Sequence, residues 1–232
     1  MRKIALAAIA AVAFSAPALA APPAGVFNWS GFYLGASAGY GWNDTDKNPF
    51  ITTNLGGLAS YPTLNAAGPF LGAQGGFNWQ MGQFLLGIEI DFQGAGINGD
   101  NPGTLVGPNF FVTDKAVHWF GTARGRVGYA MGPLLIYGTG GFAYGEVNNR
   151  VFVNGVADAR AVEMKTGYAA GGGVEWALDQ VWSAKVEYEY INLGRSHLSA
   201  AVVPPNGVIV FATPVNNFST VRIGLNYKFG TR

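Results

Sequence analysis

The feature that most constrains this chain is a strict alternation of apolar and polar residues near its C-terminus, over positions 217–229. A period of two over that length predicts a β-strand with one apolar face and one polar face. The polar face carries Arg222, Gly224 and Lys228, and the apolar face ends in Tyr227 and Phe229. In a water-soluble protein the apolar face would be core, but this pair of faces is typical of a barrel strand that faces lipid.

The same strand contains a spaced motif, Arg222-x-Gly224-x-x-Tyr227-x-Phe229. The motif resembles the C-terminal assembly signal of bacterial outer-membrane β-barrels. That resemblance implies two classes of partner during biogenesis, the barrel-assembly machinery and the periplasmic chaperones. Three further residues, 230–232, follow Phe229, whereas such proteins usually end at the phenylalanine.

Positions 1–20 read as a secretory signal peptide. Arg2 and Lys3 precede an apolar run over 4–14, and a small-x-small cleavage site occupies 18–20. The run is too short for a membrane-spanning helix. We therefore expect a barrel domain over 21–232. Removal of Arg2 and Lys3 from the 14 basic residues leaves one fewer than the 13 acidic ones. A near-neutral chain has no electrostatic footprint for nucleic acid.

Composition supports a sheet whose outer surface is lipid. Charged residues are 12% of the chain and apolar ones 49%, against a usual charged share of roughly 25%. Beyond the signal there is no run of 18 apolar residues that could span a membrane as a helix. The chain has no cysteine, which excludes thiol and disulfide chemistry. We expect no cofactor.

Periodicity and turn residues predict eight strands. Their approximate ranges are 32–42, 70–79, 84–92, 117–129, a strand from 134, 164–178, 182–192 and 217–229. Four long connections, at 43–68, 93–116, around Asn154-Gly155 and at 194–216, alternate with three short turns. The prediction is an all-β, eight-stranded antiparallel up-and-down transmembrane β-barrel. Its four long loops are extracellular, and its three short turns and both termini are periplasmic.

All six tryptophans fall at strand ends or just outside them. Because an indole prefers the boundary between water and lipid, they predict two aromatic girdles. The girdle at the short turns comprises Trp29, Trp79, Trp176 and Trp182, and the girdle at the long loops comprises Trp42 and Trp119.

Ten charged side chains are predicted to point into the barrel. They are Glu89, Asp91, Glu175, Glu187 and Glu189 against Arg124, Arg126, Lys185, Arg222 and Lys228. An eight-stranded barrel has an interior that is just wide enough for side chains to fill. Such charges must pair, because an unpaired buried charge costs several kcal/mol. We expect pairs between neighbouring strands that close the lumen, and the alternative is a pore lined by charge.

Three segments carry a family resemblance. They are W-S-G-F-Y-L-G-A-S-A-G-Y-G over 29–41, V-E-Y-E-Y-I-N-L-G over 186–194, and V-R-I-G-L-N-Y-K-F over 221–229. They resemble the small porin-family outer-membrane proteins of alphaproteobacteria, which include immunogenic proteins with an OmpA-like eight-stranded barrel. The resemblance covers essentially the whole mature chain. It implies a location in the bacterial outer membrane, contact with membrane lipid and lipopolysaccharide, and surface exposure as an antigen.

Two motifs of enzymes have simpler interpretations here. Positions 35–39 match G-x-S-x-G, but strand alternation runs through Ser37 and no helix follows, so we expect a serine that faces the lumen. His118 is predicted inside the barrel and His197 in the fourth connection, which leaves no local metal cluster. A barrel enzyme acting on lipid or peptide lacks a convergent Ser/His/acid set on one rim, and we expect no enzyme.

The fourth connection contains an apolar hairpin, over 198–203 and 208–212, next to Arg195 and His197. Exposed apolar residues at a loop tip can mark a binding surface. Some relatives bind haem, so the resemblance implies a haem- or host-ligand-binding receptor as one alternative. The simpler interpretation is that the hairpin extends two strands above the membrane. Our main prediction is a structural, envelope-integrity and surface-exposed barrel, with a small-solute channel as the other alternative.

Overall fold

The computed structural model describes residues 27–43, 50–53, 58–60, 66–100, 104–106, 109–153, 157–196, 198–199, 210–212 and 215–229. The strands are β1 Gly31–Trp42, β2 Phe50–Thr53, β3 Leu58–Ser60, β4 Ala67–Met81, β5 Phe84–Asp100, β6 Thr104–Val106, β7 Asn109–Met131, β8 Leu134–Val153, β9 Ala157–Ala177, β10 Trp182–Arg195, β11 Leu198–Ser199, β12 Val210–Ala212 and β13 Val215–Lys228. No helix in this part of the chain is long and apolar enough to cross a membrane.

Eight of the strands form a closed antiparallel barrel. Their order around the wall is β5-β4-β1-β13-β10-β9-β8-β7, and an additional pairing of β5 with β7 closes the ring. The first and last barrel strands are neighbours, with Tyr33 opposite Lys228 and Tyr40 opposite Val221. The predicted eight-stranded up-and-down barrel is therefore confirmed.

Tight turns join the strands at one end of the barrel. Gly82 and Gly132 have φ angles of 63° and 62°, in the left-handed region where glycine meets no steric penalty. The third turn is closed by Asp179, whose Oδ1 accepts hydrogen bonds from the amides of Val181 and Trp182 at 2.8 and 2.7 Å. These are the three short turns that the sequence predicts.

At the other end several strands are much longer than predicted. The second connection, expected over 93–116, is largely strand, because β5 continues to Asp100 and β7 begins at Asn109. Strands β8 and β9 pair as far as Val153 and Ala157. The extensions carry polar residues on both faces, so they lack the period-two pattern by which a strand is recognised in sequence.

A second, four-stranded sheet joins the first and fourth connections. Its order is β11-β12-β2-β3. Leu198 pairs with Ala212, which bears out the hairpin expected in the fourth connection. Strand β12 also pairs with β2, where Val210 lies opposite Thr53. The fourth connection is thus tied to the first, which the sequence did not indicate.

Burial alternates along the barrel strands as the sequence predicts, with apolar side chains on the outer surface. In β8, for example, Ile136 and Phe142 are exposed, whereas Leu135 and Tyr137 are buried. One part of the phase in β7 is wrong. The register shifts between Val117 and Trp119, so Val117 points inward. His118, expected inside the barrel, is exposed, because a bulge inserts one extra residue at this point.

Candidate functional site in the barrel interior

The charged side chains that the sequence predicts to point inward form a buried layer in the middle of the barrel. They come from alternate positions of five strands, β5, β7, β9, β10 and β13. Each is at most 3% exposed: Glu89, Asp91, Arg124, Arg126, Glu175, Lys185, Glu187, Glu189 and Arg222. We call these nine residues the charged layer.

Arg124 is at the centre of the charged layer. Its Nη2 lies 2.6 Å from Glu89 Oε1 and 3.0 Å from Asp91 Oδ2, both on the neighbouring strand β5. Its Nη1 lies 2.8 Å from Glu187 Oε1 and 3.2 Å from Glu189 Oε1, both on β10. The two contacts with β5 are pairs between neighbouring strands, as the sequence predicts. The two contacts with β10 cross the lumen and are not predicted.

Glu89 collects donors from three strands. Lys185 Nζ lies 2.9 and 2.8 Å from its two carboxylate oxygens, and the Tyr33 hydroxyl donates to Oε2 at 2.8 Å. Together with the contact from Arg124, these contacts give both carboxylate oxygens of Glu89 a hydrogen-bond donor. Tyr33 and Lys185 reach Glu89 from β1 and β10, so this carboxylate links distant parts of the wall.

Arg222 on the last strand joins the same layer. Its Nη2 contacts Glu189 Oε2 and lies 2.9 Å from Glu187 Oε1, and its Nη1 lies 3.3 Å from Asp91 Oδ2. Glu187 also accepts a hydrogen bond from the Tyr137 hydroxyl at 2.8 Å. The predicted pairing of Arg222 with its neighbours on β10 is present, and it extends across the lumen to β5.

A second cluster lies around Arg126. Its Nη2 donates to Glu175 Oε2 at 2.7 Å, and its guanidinium lies 4.0 Å from the centre of the Tyr137 ring. Glu175 also accepts hydrogen bonds from Ser183 at 2.6 Å and from Asn226 at 2.8 Å. The sequence does not single out these uncharged hydroxyls and amides, although their inward phase could have indicated them.

Lys228, the tenth predicted member, does not join the layer. Its Nζ donates to the carbonyl oxygen of Asn28 and lies 4.5 Å from the centre of the Phe27 ring. It sits at the end of β13, where it holds the segment that precedes β1. The remaining layer therefore contains five carboxylates and four cations.

Several polar atoms of the layer lack a hydrogen bond within the described residues. They include Asp91 Oδ1, Glu189 Oε1 and the Nε atoms of Arg124, Arg126 and Arg222. Glu189 Oε1 lies near Arg124 but without hydrogen-bond geometry. The carboxylates of Asp91 and Glu189 are thus less completely satisfied than that of Glu89.

Apolar side chains fill the barrel on the long-strand side of the charged layer. Phe120 packs edge-to-face against Phe70 and Phe218, with ring centroids 5.3 and 5.2 Å apart. The same cluster includes Ile97, Val117, Val147, Ile191 and Leu193. All of these side chains are buried inside the wall, and we call this cluster the upper apolar layer.

Trp29 fills the other end of the barrel, at the tight turns. It is 3% exposed and belongs to a cluster with Leu85, Ala130, Leu135, Tyr137 and Ala177, against which Phe27 packs. Its Nε1 donates to the carbonyl of Gly132 at 3.3 Å, and its amide donates to Gln80 Oε1 at 2.8 Å. We call this cluster the lower apolar layer.

The assignment of Trp29 to an aromatic girdle is therefore wrong. The residue precedes β1, so strand alternation says nothing about its direction, and the chain turns it into the barrel mouth. The other five tryptophans lie on the outer wall. Trp119 stacks on Phe92 at 5.5 Å and Trp182 meets Tyr227 at 5.1 Å, while Trp42, Trp79 and Trp176 are partly or well exposed.

The residues of the C-terminal motif divide between the two faces of β13. Tyr227 and Phe229 are exposed on the outer wall, with ring centroids 5.0 Å apart. Arg222 is buried in the charged layer, and Gly224 lies beside Lys185, whose Cγ is 3.1 Å from the position of an added Cβ. The Phe229 amide donates to the carbonyl of Phe32 at 2.8 Å, which joins the two ends of the barrel domain.

Ser37 of the G-x-S-x-G match lies inside the barrel, as predicted. It is buried, and Gln93 Nε2 donates to its hydroxyl at 3.1 Å. Its hydrogen-bonding neighbour is an amide and not a base. The signal peptide, His197, positions 200–209 and the tail at 230–232 lie outside the described residues.

Comparisons with known proteins agree with this architecture. The sequence model of the family described as outer membrane protein beta-barrel domain matches residues 6–229. The 31 kDa outer-membrane immunogenic protein of Brucella melitensis biotype 1 is 36% identical, over 99% of this chain and 100% of that protein. The 22 kDa outer membrane protein of Rhizobium leguminosarum bv. viciae is 35% identical, over 72% of this chain and 65% of that protein.

Among solved structures, the outer membrane protein OprG of Pseudomonas aeruginosa superimposes with a TM-score of 0.56. The alignment covers 87% of this chain and 97% of OprG, at 16% sequence identity. At that identity the likeness bears on the fold alone.

Proposed function

The chain belongs to the family of outer membrane protein beta-barrel domains and is an outer-membrane protein, and from this premise we propose a structural role in the envelope. In this role the barrel stabilises the outer membrane, presents its long connections at the cell surface and keeps its lumen closed with its own side chains. The outward apolar faces contact membrane lipid, as in other barrels of this kind.

The observation that carries the closed lumen is the order of the three interior layers. The upper apolar layer, around Phe120, and the lower apolar layer, around Trp29, lie on either side of the charged layer. An ion that crossed the barrel would leave water at each apolar layer, and hydrophobic constrictions close pores by excluding water. Inside the charged layer it would compete with ion pairs as short as 2.6 Å.

The orientation in the membrane follows from the unequal ends of the barrel. Outer-membrane barrels place short turns in the periplasm and long loops outside the cell. The tight turns at Gly82, Gly132 and Asp179 are then periplasmic, and the long ends of β5, β7, β8 and β9 are extracellular. We propose this orientation for the chain.

Planar-bilayer recording on purified, refolded protein tests the closed lumen. We expect rare, brief openings and no large steady conductance at moderate voltage. A stable conductance in every inserted molecule would contradict the proposal and make a small-solute channel the better function. Circular dichroism and heat-modifiable migration of the same sample establish that the recorded protein is folded.

A non-catalytic role is part of the proposal. It is supported by Ser37, which is buried and whose hydroxyl accepts a hydrogen bond from the side-chain amide of Gln93. The C-terminal motif that ends at Phe229 supports recognition by the barrel-assembly machinery and by periplasmic chaperones during biogenesis. Crosslinking from a photoreactive residue at position 227 during assembly tests that recognition.

Ligand binding at the cell surface is the second candidate function. The observation that favours it is the four-stranded sheet formed by β2, β3, β11 and β12, which gives the extracellular end a regular backbone platform. Spectroscopic titration of the folded protein with haem tests the receptor idea. A Soret shift that saturates at one haem per protein would support it, and an unshifted spectrum would contradict haem as the ligand.

A further inference from the structure

A polar cavity lies on the outer wall of the barrel, where β5, β7 and β8 extend beyond the aromatic girdle. Its volume is about 470 Å³, within the range of small-ligand sites. Six polar residues line it: Asn98, Asp114, Lys115, His118, Asn148 and Arg150. None of them belongs to the three interior layers.

Strand register explains why these residues meet outside the barrel. Phe142 and Tyr144 face outward in β8, so alternation also turns Asn148 and Arg150 outward. Asn148 shares a row with Ala116 and Asn98, and Arg150 is directly opposite Asp114 in the next row. The bulge in β7 turns His118 to the same side, where its Nδ1 lies 3.0 Å from Glu146 Oε1.

Among the described residues, two buried atoms in the wall of the cavity have no hydrogen-bond partner. Asn148 is 6% exposed, and within this part of the chain its Oδ1 accepts no hydrogen bond and the Nε of Arg150 donates none. A buried polar group without a partner is costly, so such groups mark places where a ligand can supply one. The pair offers one acceptor and one donor side by side in a single cavity.

The chemistry of the lining favours a saccharide. Asp114 accepts and Arg150 donates, and the amides of Asn98 and Asn148 can do both. A sugar hydroxyl also does both, so it can satisfy acceptors and donors at once. A simple anion could pair with Lys115 and Arg150, but it has no donor for the Oδ1 of Asn148.

The position of the cavity favours a saccharide that belongs to a lipid. The aromatic residues Phe92, Trp119 and Tyr144 lie on the same outer face, one to two residue rows closer to the tight turns. The ring centroid of Trp119 is 5.5 Å from that of Phe92 and 6.3 Å from that of Tyr144. Aromatic girdles mark the lipid–water boundary. The cavity therefore faces the headgroup layer and not the lumen or bulk solution.

We propose that this cavity binds the saccharide headgroup of a glycolipid of the outer leaflet, whose acyl chains lie along the apolar wall below Trp119. The inference rests on the proposed orientation, which places this end of the barrel outside the cell. It deepens the envelope role, because a bound glycolipid anchors the barrel laterally in the leaflet that surrounds it.

Native mass spectrometry of the full mature protein in detergent tests the site, with purified lipid A as the probe. Two comparison probes are used. Phosphatidylglycerol is an anionic lipid without a sugar, and the deacylated lipid A disaccharide is a soluble sugar without acyl chains. We expect wild type to retain lipid A in preference to both. Arg150→Ala and Asn148→Ala should each weaken retention about tenfold, the loss expected for removing one hydrogen bond to a polar ligand.

Arg195→Ala is the matched control, because Arg195 is an exposed arginine at the same end of β10, two strands from β8. It should leave lipid A retention unchanged. If Arg150→Ala does not fold, His118→Gln serves instead, because its side chain is 50% exposed and tolerates the change. Unchanged retention in the cavity variants, or equal retention of phosphatidylglycerol, would overturn the site. Equal competition by the soluble disaccharide would overturn the lipid as its source.

A labelling experiment separates this inference from the orientation on which it rests. The chain has no cysteine, so Asn98→Cys provides a single thiol beside the cavity. A membrane-impermeant maleimide should label it in intact cells. Labelling only after the outer membrane is opened would overturn the orientation, whereas surface labelling without selective lipid A retention would overturn the site alone.

Discussion

Arg124 Nη1 and Glu187 Oε1 are 2.8 Å apart although the two residues are 63 positions apart in sequence. They belong to β7 and β10, which are three strands apart along the wall. The contact therefore crosses the lumen. Because Arg124 also reaches Glu89 and Asp91 on β5, one guanidinium joins opposite sides of the barrel.

The first prediction concerns this guanidinium. Arg124→Ala should lower the free energy of unfolding by about 3–5 kcal/mol, because it leaves buried carboxylates short of a partner. Urea titration in lipid vesicles measures the loss, with Arg195→Ala as a surface control that should change little. Bilayer recording should show more frequent openings in the variant. Wild-type stability together with wild-type conductance in Arg124→Ala would contradict the proposed role of the charged layer.

A second prediction contrasts two carboxylates of the layer. Glu89→Gln should be strongly destabilising, by about 3–5 kcal/mol, because Glu89 receives donors from Arg124, Lys185 and Tyr33. Glu189→Gln should cost less than half as much, because the layer holds five carboxylates for four cations and Glu189 Oε1 already lacks a hydrogen bond to the residues that the structure describes. The same urea titration compares the two amides, and equal losses would show that the excess carboxylate has no energetic consequence.

The third prediction concerns the lower apolar layer. Trp29→Ala should destabilise the barrel by about 3–5 kcal/mol, the range for removing a large buried aromatic. It should also raise the frequency of channel openings, because it removes the residue that fills the periplasmic mouth. Trp79→Ala is the control, since Trp79 is 58% exposed on the outer wall. Its openings should match those of wild type, and identical behaviour of the two variants would argue against a plug.

The fourth prediction concerns the lipid-facing surface. Ile88 is 63% exposed and is the central residue of the outward apolar run over 84–92 in β5. Ile88→Arg should lower the free energy of folding into lipid by about 2–4 kcal/mol, the cost of a guanidinium at the bilayer midplane. Thr53→Arg, in β2 of the extracellular sheet, should be nearly silent in the same vesicles. An unchanged free energy of folding in Ile88→Arg would show that Ile88 does not lie near the bilayer midplane.

The fifth prediction concerns assembly. Phe229→Ala should reduce the amount of protein in outer-membrane fractions much more than deletion of residues 230–232. Phe229 ends the C-terminal motif, and its ring packs on Tyr227 at the periplasmic end of the outer wall. Quantitative blotting of membrane fractions compares the two variants. Equal amounts of the two variants in the outer-membrane fraction would contradict the proposal that this segment is the assembly signal.

Alternation by itself was enough to predict much of the fold and of the charged layer. Glu89 and Asp91 are two positions apart, as are Arg124 and Arg126, so each pair must share the inner face of a strand. Alternation fails where it is broken by a bulge, as at His118, or where both faces of a strand are polar, as beyond Gln93. It also says nothing about a residue outside a strand, which is why it does not predict the burial of Trp29 in the barrel mouth.

The sequence alone therefore determined the outer-membrane barrel, the number of barrel strands and, away from bulges and strand extensions, the face on which a strand residue lies. These properties depend on local periodicity, because successive side chains of a strand point alternately to the lipid and to the barrel interior. Only the tertiary structure decided the partners, such as Arg124 with Glu187, the burial of Trp29 and the cavity beside Asn148. Such contacts depend on how the closed wall brings distant strands together, and a local pattern carries no information about distances across the lumen.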